Sequence, residues 1–307
     1  MHKIKRPMLV SLHSLWVFLL VSLMGFSQEL PKVNIETYIY KDTLALDFYT
    51  MRKGVEVNRP LVVLVHGGGF SFGKRDNETE VEFCESLARH GYSVASISYR
   101  LTRKNESFGC DCPAETKIET FVQASEDLTT AIDFLTSNEK LNFDRQKVVL
   151  VGSSAGAETV LNTAFMNNHY DFKHLKSFSY AGVISFAGAM IDTNYIVEDN
   201  AIPVLLFHGK KDKLVPFDTA AHHYCPVKTK GYLILHGSNS ISERIETLGI
   251  SFVLAFDPDG THSWANEAYK HTNLIEGFID EIILGEKYIQ NRVIVKPLIK
   301  EVVKSEN

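Results

Sequence analysis

The chain has 307 residues, 45% of them hydrophobic and 22% charged, with a formal charge of -5. That is the composition of a globular protein, and about 280 residues beyond the N-terminal segment suffice for one large α/β domain with a substantial core. Both charge signs are interspersed, which excludes a nucleic-acid footprint, and neither a repeat nor a low-complexity linker divides the body.

Taken in chain order, Lys3, Lys5 and Arg6 precede an apolar run from Met8 to Phe26, and Gly25-Phe26-Ser27 offers the small residues a signal peptidase reads. Residues 1–27 are therefore read as a secretory signal peptide cleaved before Gln28, which places the mature chain in a secreted or periplasmic location. The rival reading is an uncleaved anchor. His13 and several serines interrupt the run and weaken it as a membrane span. Residues 28–286 are read as the body of the protein and 287–307 as a C-terminal tail.

Val33 to Tyr40 and Leu44 to Met51 alternate like an antiparallel pair around Lys41-Asp42-Thr43. Leu61 to Val65 is a buried strand that runs into His66-Gly67-Gly68-Gly69-Phe70. A helix is expected from Glu78 to His90, ended by Gly91, and then a strand from Tyr92 to Arg100. The loop Leu101 to Glu115 is long and carries Cys110 and Cys112; a helix from Thr116 to Ser137 follows. Val148 to Val151 is a strand ending in Gly152-Ser153-Ser154-Ala155-Gly156, with a helix-forming run after it. Strands are then expected at Ala181–Phe186, Val204–Phe207 and Phe252–Phe256. Leu233 to Ser238 reads as a short strand or small insertion, Ser240 to Leu248 as a helix, and Glu267 to Leu284 as the closing helix. Alternating strands and helices predict a mostly parallel sheet of about eight strands with helices on both faces. Only some fifteen residues separate Phe186 from Pro203, so no large lid is expected.

The Gly-x-Ser-x-Gly stretch has the pattern of a strand-to-helix turn that holds a serine hydroxyl in the open. The two glycines relieve crowding in so sharp a turn. Three further motifs sit just past apolar runs, where open α/β sheets place their ligands. These are His66-Gly67-Gly68-Gly69, the stretch His208 to Asp212 before Val215-Pro216, and Asp257-Pro258-Asp259-Gly260-Thr261-His262-Ser263-Trp264. The order Ser, Asp, His is that of α/β-hydrolases. From about Asn34 to Gly285 the chain resembles the α/β-hydrolase superfamily, specifically the esterases and lipases with a His-Gly-Gly-Gly oxyanion loop. It departs from the hormone-sensitive-lipase-like pattern at Ser153 and Ala157.

The resemblance implies an α/β-hydrolase fold and a serine esterase that needs no cofactor or metal. Ser154 would be the nucleophile, His262 the base and Asp212 the residue that orients the imidazole. The amides of Gly68, Gly69 and Ala155 would form the oxyanion hole. Phe70, Phe72 and Trp264 are candidates for the acyl pocket. Asp257 and Asp259 are rivals for the acid, too near His262 in sequence to reach behind its ring. His66 and His208 are expected to be structural. His222, His223 and Cys225 lack a fourth ligand at zinc-like spacing and read as a chance cluster. Gly68 to Lys74 nearly spells a phosphate-binding loop, but Arg75 stands where Ser or Thr would hold magnesium. Among Cys84, Cys110, Cys112 and Cys225, export favours one disulfide, from Cys225 to Cys110 or Cys112; the alternative is four unpaired thiols. The expected substrate is an ester, small or carried on polysaccharide as acetyl or feruloyl groups. A prolyl-oligopeptidase-type exopeptidase and a catalytically silent binding module are the alternatives.

Overall fold

A computed structural model describes residues 31–51 and 59–298. The signal-peptide assignment, 1–27, lies outside the described residues. Among those described, no helix is long and apolar enough to cross a membrane.

The chain opens with strands β1 (Val33–Lys41) and β2 (Leu44–Met51), paired antiparallel as the alternation predicts. Then come β3 (Pro60–Val65), helix α1 (Glu78–Arg89), β4 (Ser93–Ile97), α2 (Ala114–Ser137), β5 (Asp144–Ser153), α3 (Ala155–Phe165) and β6 (Gly182–Phe186). A two-residue strand, β7 (Ala189–Met190), precedes β8 (Val204–Gly209). After it lie β9 (Thr219–Ala221), β10 (Ile234–Gly237), α4 (Ser238–Thr247) and β11 (Phe252–Asp257). The chain closes with α5 (Trp264–Glu267), α6 (Thr272–Gly277), a π-helical turn (Phe278–Leu284) and β12 (Gln290–Ile294).

Among the described residues the main sheet has nine strands in the order β1-β2-β4-β3-β5-β6-β8-β11-β12, and of these only β2 runs against its neighbours on both sides. Successive residues of a strand point to opposite faces, and both faces are covered here. Leu61, Val63 and Val65 of β3 join one apolar cluster with Leu150, Leu206, Phe121 of α2, Val160 of α3 and Ile245 of α4. Val62 and Leu64, one residue out of phase, join the other with Val151, Phe207, Leu87 of α1 and Ile279. Fully apolar strands such as β3 are the consequence. β7, β10 and β9 form a separate three-stranded sheet, which answers whether Leu233 to Ser238 is a strand.

Two expectations change. The closing helix is not continuous from Glu267: His271 has φ -88° and ψ 43°, outside the helical region, and the helix restarts at Thr272. The body also does not end at 286. Residues 290–294 of the expected tail pair parallel with β11, from Phe252 opposite Gln290 to Phe256 opposite Ile294. The preceding helical turns return the chain to the start of β11, from which only a parallel strand can follow. β12 is largely exposed, so it carries little of the apolar alternation that marks a strand in sequence.

Candidate active site

Four parallel strands deliver the expected site from one end of the sheet. β3 leads into the Gly67–Gly69 loop, β5 into Ser154, β8 into Asp212 and β11 into His262. Ser154 sits at φ 50° and ψ -118°, a conformation uncommon for a residue with a side chain. Its amide donates to Phe186 O at 2.8 Å, and α3 begins at the next residue. The turn demands both glycines. A Cβ on Gly152 would lie 2.2 Å from Gly156 O, and one on Gly156 would lie 2.0 Å from Val65 O. Ser153 points the other way and donates to Ala265 O at 2.7 Å.

The Ser154 hydroxyl donates to His262 Nε2 at 2.8 Å, and His262 Nδ1 donates to Asp212 Oδ2 at 2.7 Å. Asp212 is fully buried, and its other oxygen accepts from the amides of Leu214 at 2.8 Å and Val215 at 3.0 Å. Burial pushes its carboxyl up, but hydrogen bonding to His208 and His262 outweighs that and holds it well below the usual carboxylate range. Asp212 is thus an anion at neutral pH, fixed by four neighbours. His208 lies behind it, with Nε2 3.3 Å from Asp212 Oδ2 and 3.2 Å from Val215 O, while Ser238 donates to Nδ1 at 2.8 Å.

The rival carboxylates are engaged elsewhere. Asp257 accepts from Trp264 Nε1 at 3.3 Å and Lys296 Nζ at 2.6 Å, and Asp259 pairs with Lys211 at 2.6 Å. Gly68 and Gly69 adopt φ 116° and 58°, and both line the cleft beside Ser154 and Ala155. Among the described residues their amides have no acceptor. Gly68, Gly69, Phe72 and Gly73 of the Gly68–Lys74 stretch line the same cleft as Ser154, with Arg75 turned to Asp47 at 2.9 Å. His66 is buried behind the loop, its Nδ1 donating to Gly67 O at 2.7 Å and its ring stacked on Tyr99.

Of the three pocket aromatics, only Phe72 lines the cleft, where it is 71% exposed at the rim. Phe70 is a correction: it is fully buried among Tyr99, Phe108 and Phe121, because φ 57° turns its side chain into the core. Trp264 is the second, stacked on Phe207 under the sheet with its N–H held by Asp257. The cleft has a volume of about 370 Å³. Its walls include residues the sequence reading did not assign to the site, namely Phe108, Glu158, Leu214, Val215, His222 and His223. Cys225, grouped with the histidines by sequence, is bonded to Cys110 with a Cα–Cα distance of 5.2 Å, while Cys84 and Cys112 are free and buried. The bridge ties the Cys110 loop to the segment bearing His222. One signal for Glu158 was available. It stands one turn beyond Ser154, on a helix whose eleven residues are all buried, so its carboxylate had to face either the core or the cleft.

Chemically, the hydroxyl, imidazole and carboxylate form a continuous hydrogen-bonded chain, and main-chain donors stand beside the hydroxyl. Such a set can pass a proton from an attacking oxygen and receive a developing oxyanion.

The BD-FAE family model matches residues 46–192, from β2 to just past β7. Similar solved structures include esterase B from Lactobacillus rhamnosis, 17% identical over 84% of this chain and 88% of that one, with a TM-score of 0.56. The thermophilic esterase Est2 from Thermogutta terrifontis is 19% identical over 83% of this chain and 94% of that one, also at 0.56. The propionate-bound form of Est2 superimposes at 0.57. No curated protein sequence matches the chain. Strand order, chain order of the motifs and these likenesses agree: the chain has the α/β-hydrolase fold.

Proposed function

We propose that this α/β-hydrolase is an exported serine hydrolase of carboxylic esters, working through an acyl-enzyme intermediate on Ser154. The reading rests chiefly on the chain of contacts from Ser154 Oγ to His262 to Asp212, 2.8 and 2.7 Å. His262 removes the serine proton as Oγ attacks the acyl carbon. Asp212 keeps the imidazole in the tautomer that accepts at Nε2 and stabilises the imidazolium. The amides of Gly68, Gly69 and Ala155 receive the oxyanion, each contributing about 3–4 kcal/mol by analogy with other serine hydrolases. The imidazolium then protonates the departing alcohol, and a water molecule activated by the same ring releases the acid.

Acetyl or feruloyl groups carried on polysaccharide are the proposed substrates. Support comes from the open rim at Phe72 and from the N-terminal export signal in the sequence. A fluorophosphonate probe should label the protein, and Ser154→Ala should abolish labelling; a labelled Ser154→Ala protein removes Ser154 as the nucleophile. Acetylated xylan and methyl ferulate should be turned over alongside p-nitrophenyl acetate. Turnover of the aryl ester alone would withdraw the polysaccharide assignment and leave the esterase reading in place.

A further inference from the structure

The cleft holds a polar pair that the proton chain does not use. Glu158 and His222 are 2% and 1% exposed, yet both line the cleft that contains Ser154. Glu158 lies one helical turn from the nucleophile, its amide donating to Ser154 O at 2.9 Å. Its Oε1 stands 3.3 Å from His222 Nε2. Among the described residues neither Oε1 nor His222 Nδ1 has a hydrogen-bond partner. A buried polar atom left in that state costs about 1–3 kcal/mol, so each of these two atoms in a cleft wall invites a polar ligand group that can satisfy it.

Resting on the esterase reading above, we propose that Glu158 and His222 form a recognition subsite for a neutral hydroxyl group of the ester substrate. A hydroxyl suits either atom because it can donate or accept. Charge argues the same way. Burial raises the Glu158 carboxyl well above its ordinary value, although Lys117 draws it down, and burial with His223 and Lys117 nearby lowers His222. Both shifts run toward the uncharged forms, which suits a neutral partner better than an ammonium or a carboxylate. Lys117 is already committed, donating to Gly231 O at 2.8 Å. The ring of Phe108, 5.3 Å from that of His222, offers an apolar surface for the carbon frame that bears the hydroxyl.

The hydroxyl can belong to the acyl group or to the alcohol, and paired substrates separate the two. In the acyl arm, methyl 4-hydroxybutyrate is compared with methyl butyrate; in the alcohol arm, glycerol monoacetate is compared with propyl acetate. The mature protein should favour the hydroxylated member of one pair by on the order of 10²-fold in kcat/KM, since a site built to bind a hydroxyl discriminates strongly against its absence. Glu158→Leu should bring that ratio to within a few-fold of unity, and Glu158→Gln should retain part of it. Equal rates within both wild-type pairs overturn the subsite while leaving the esterase reading intact. No turnover of any of the four esters sinks both together. Should Glu158→Leu fail to fold, His222→Phe reads the same ratio from the other partner, and an unchanged ratio there also overturns the proposal.

Discussion

At the scale of single residues, the site shows why side-chain direction matters more than proximity in sequence. Asp212, not the nearer Asp257 or Asp259, reaches His262, because it stands at the mouth of the neighbouring strand β8 while the other two are claimed by Trp264, Lys296 and Lys211. Asp212→Asn should therefore preserve the fold but lower kcat by about 10⁴-fold, the loss seen when the orienting acid of a serine protease is replaced and the imidazole takes the wrong tautomer. Steady-state kinetics on a p-nitrophenyl ester, with circular dichroism as the folding control, would read this. Glu158 supports a prediction about stability. Its carboxyl is raised in the folded protein above the ordinary value of 4.5, so the folded state binds the proton more tightly than the unfolded chain does. Its contribution is complete below about pH 4.5 and is lost as pH rises from there through the folded value. Glu158→Gln, which cannot ionise, should gain thermal stability relative to wild type progressively above that pH; a constant difference in Tm from pH 4 to 8 would contradict it. Ser154, Asp212 and His262 were legible in the sequence because each follows an apolar strand. Phe70 and Trp264 were misread because an aromatic beside a motif does not reveal which way its backbone turns it, and in Phe70 a positive φ decides that.

At the scale of elements, the crossing of β3, β5 and α3 is the tightest point of the fold. Gly156 lies where a Cβ would press on the carbonyl of Val65, and that atom belongs to a central strand that cannot move aside. Gly156→Ala should destabilise by about 1–3 kcal/mol or more, with activity falling in parallel because the same turn carries Ser154. Thermal unfolding and kinetics on one preparation would test the coupling; a full loss of activity without a change in Tm would show that the turn had shifted and the packing had not. Strands β3, β5, β8 and β11 were readable as apolar runs, since both sheet faces are covered and most of the apolar positions in these strands are buried. β12 was not, because edge strands in contact with water lose that signature.

At the scale of the whole molecule, two ends of the chain carry expectations. If the N-terminal segment is a signal peptide, N-terminal sequencing of the exported protein should begin at Gln28; a membrane-bound protein that retains residues 1–27 would establish the anchor reading instead. At the other end, β12 covers the outer edge of β11, the strand that leads to His262. Deleting residues 289–307 should expose that edge, lower Tm and promote association between chains, as light scattering would report. A truncated protein that stays monomeric with unchanged Tm would return β12 to the status of a dispensable tail. The overall layering followed from alternating strands and helices in the sequence. The cleft walls did not, because Phe108 and His222 come from loops 114 residues apart, and loop packing leaves no periodic trace.

The bridge between Cys110 and Cys225 joins those same two loops across a sequence separation of 115. A cross-link closing so long a circuit stabilises by about 2–4 kcal/mol, mostly by restricting the unfolded chain. Under thiol-reducing conditions the two walls would be released from one another. Breaking the bridge would loosen the wall that carries Phe108 from the one that carries His222, so the shape of the cleft is tied to the redox state of its surroundings.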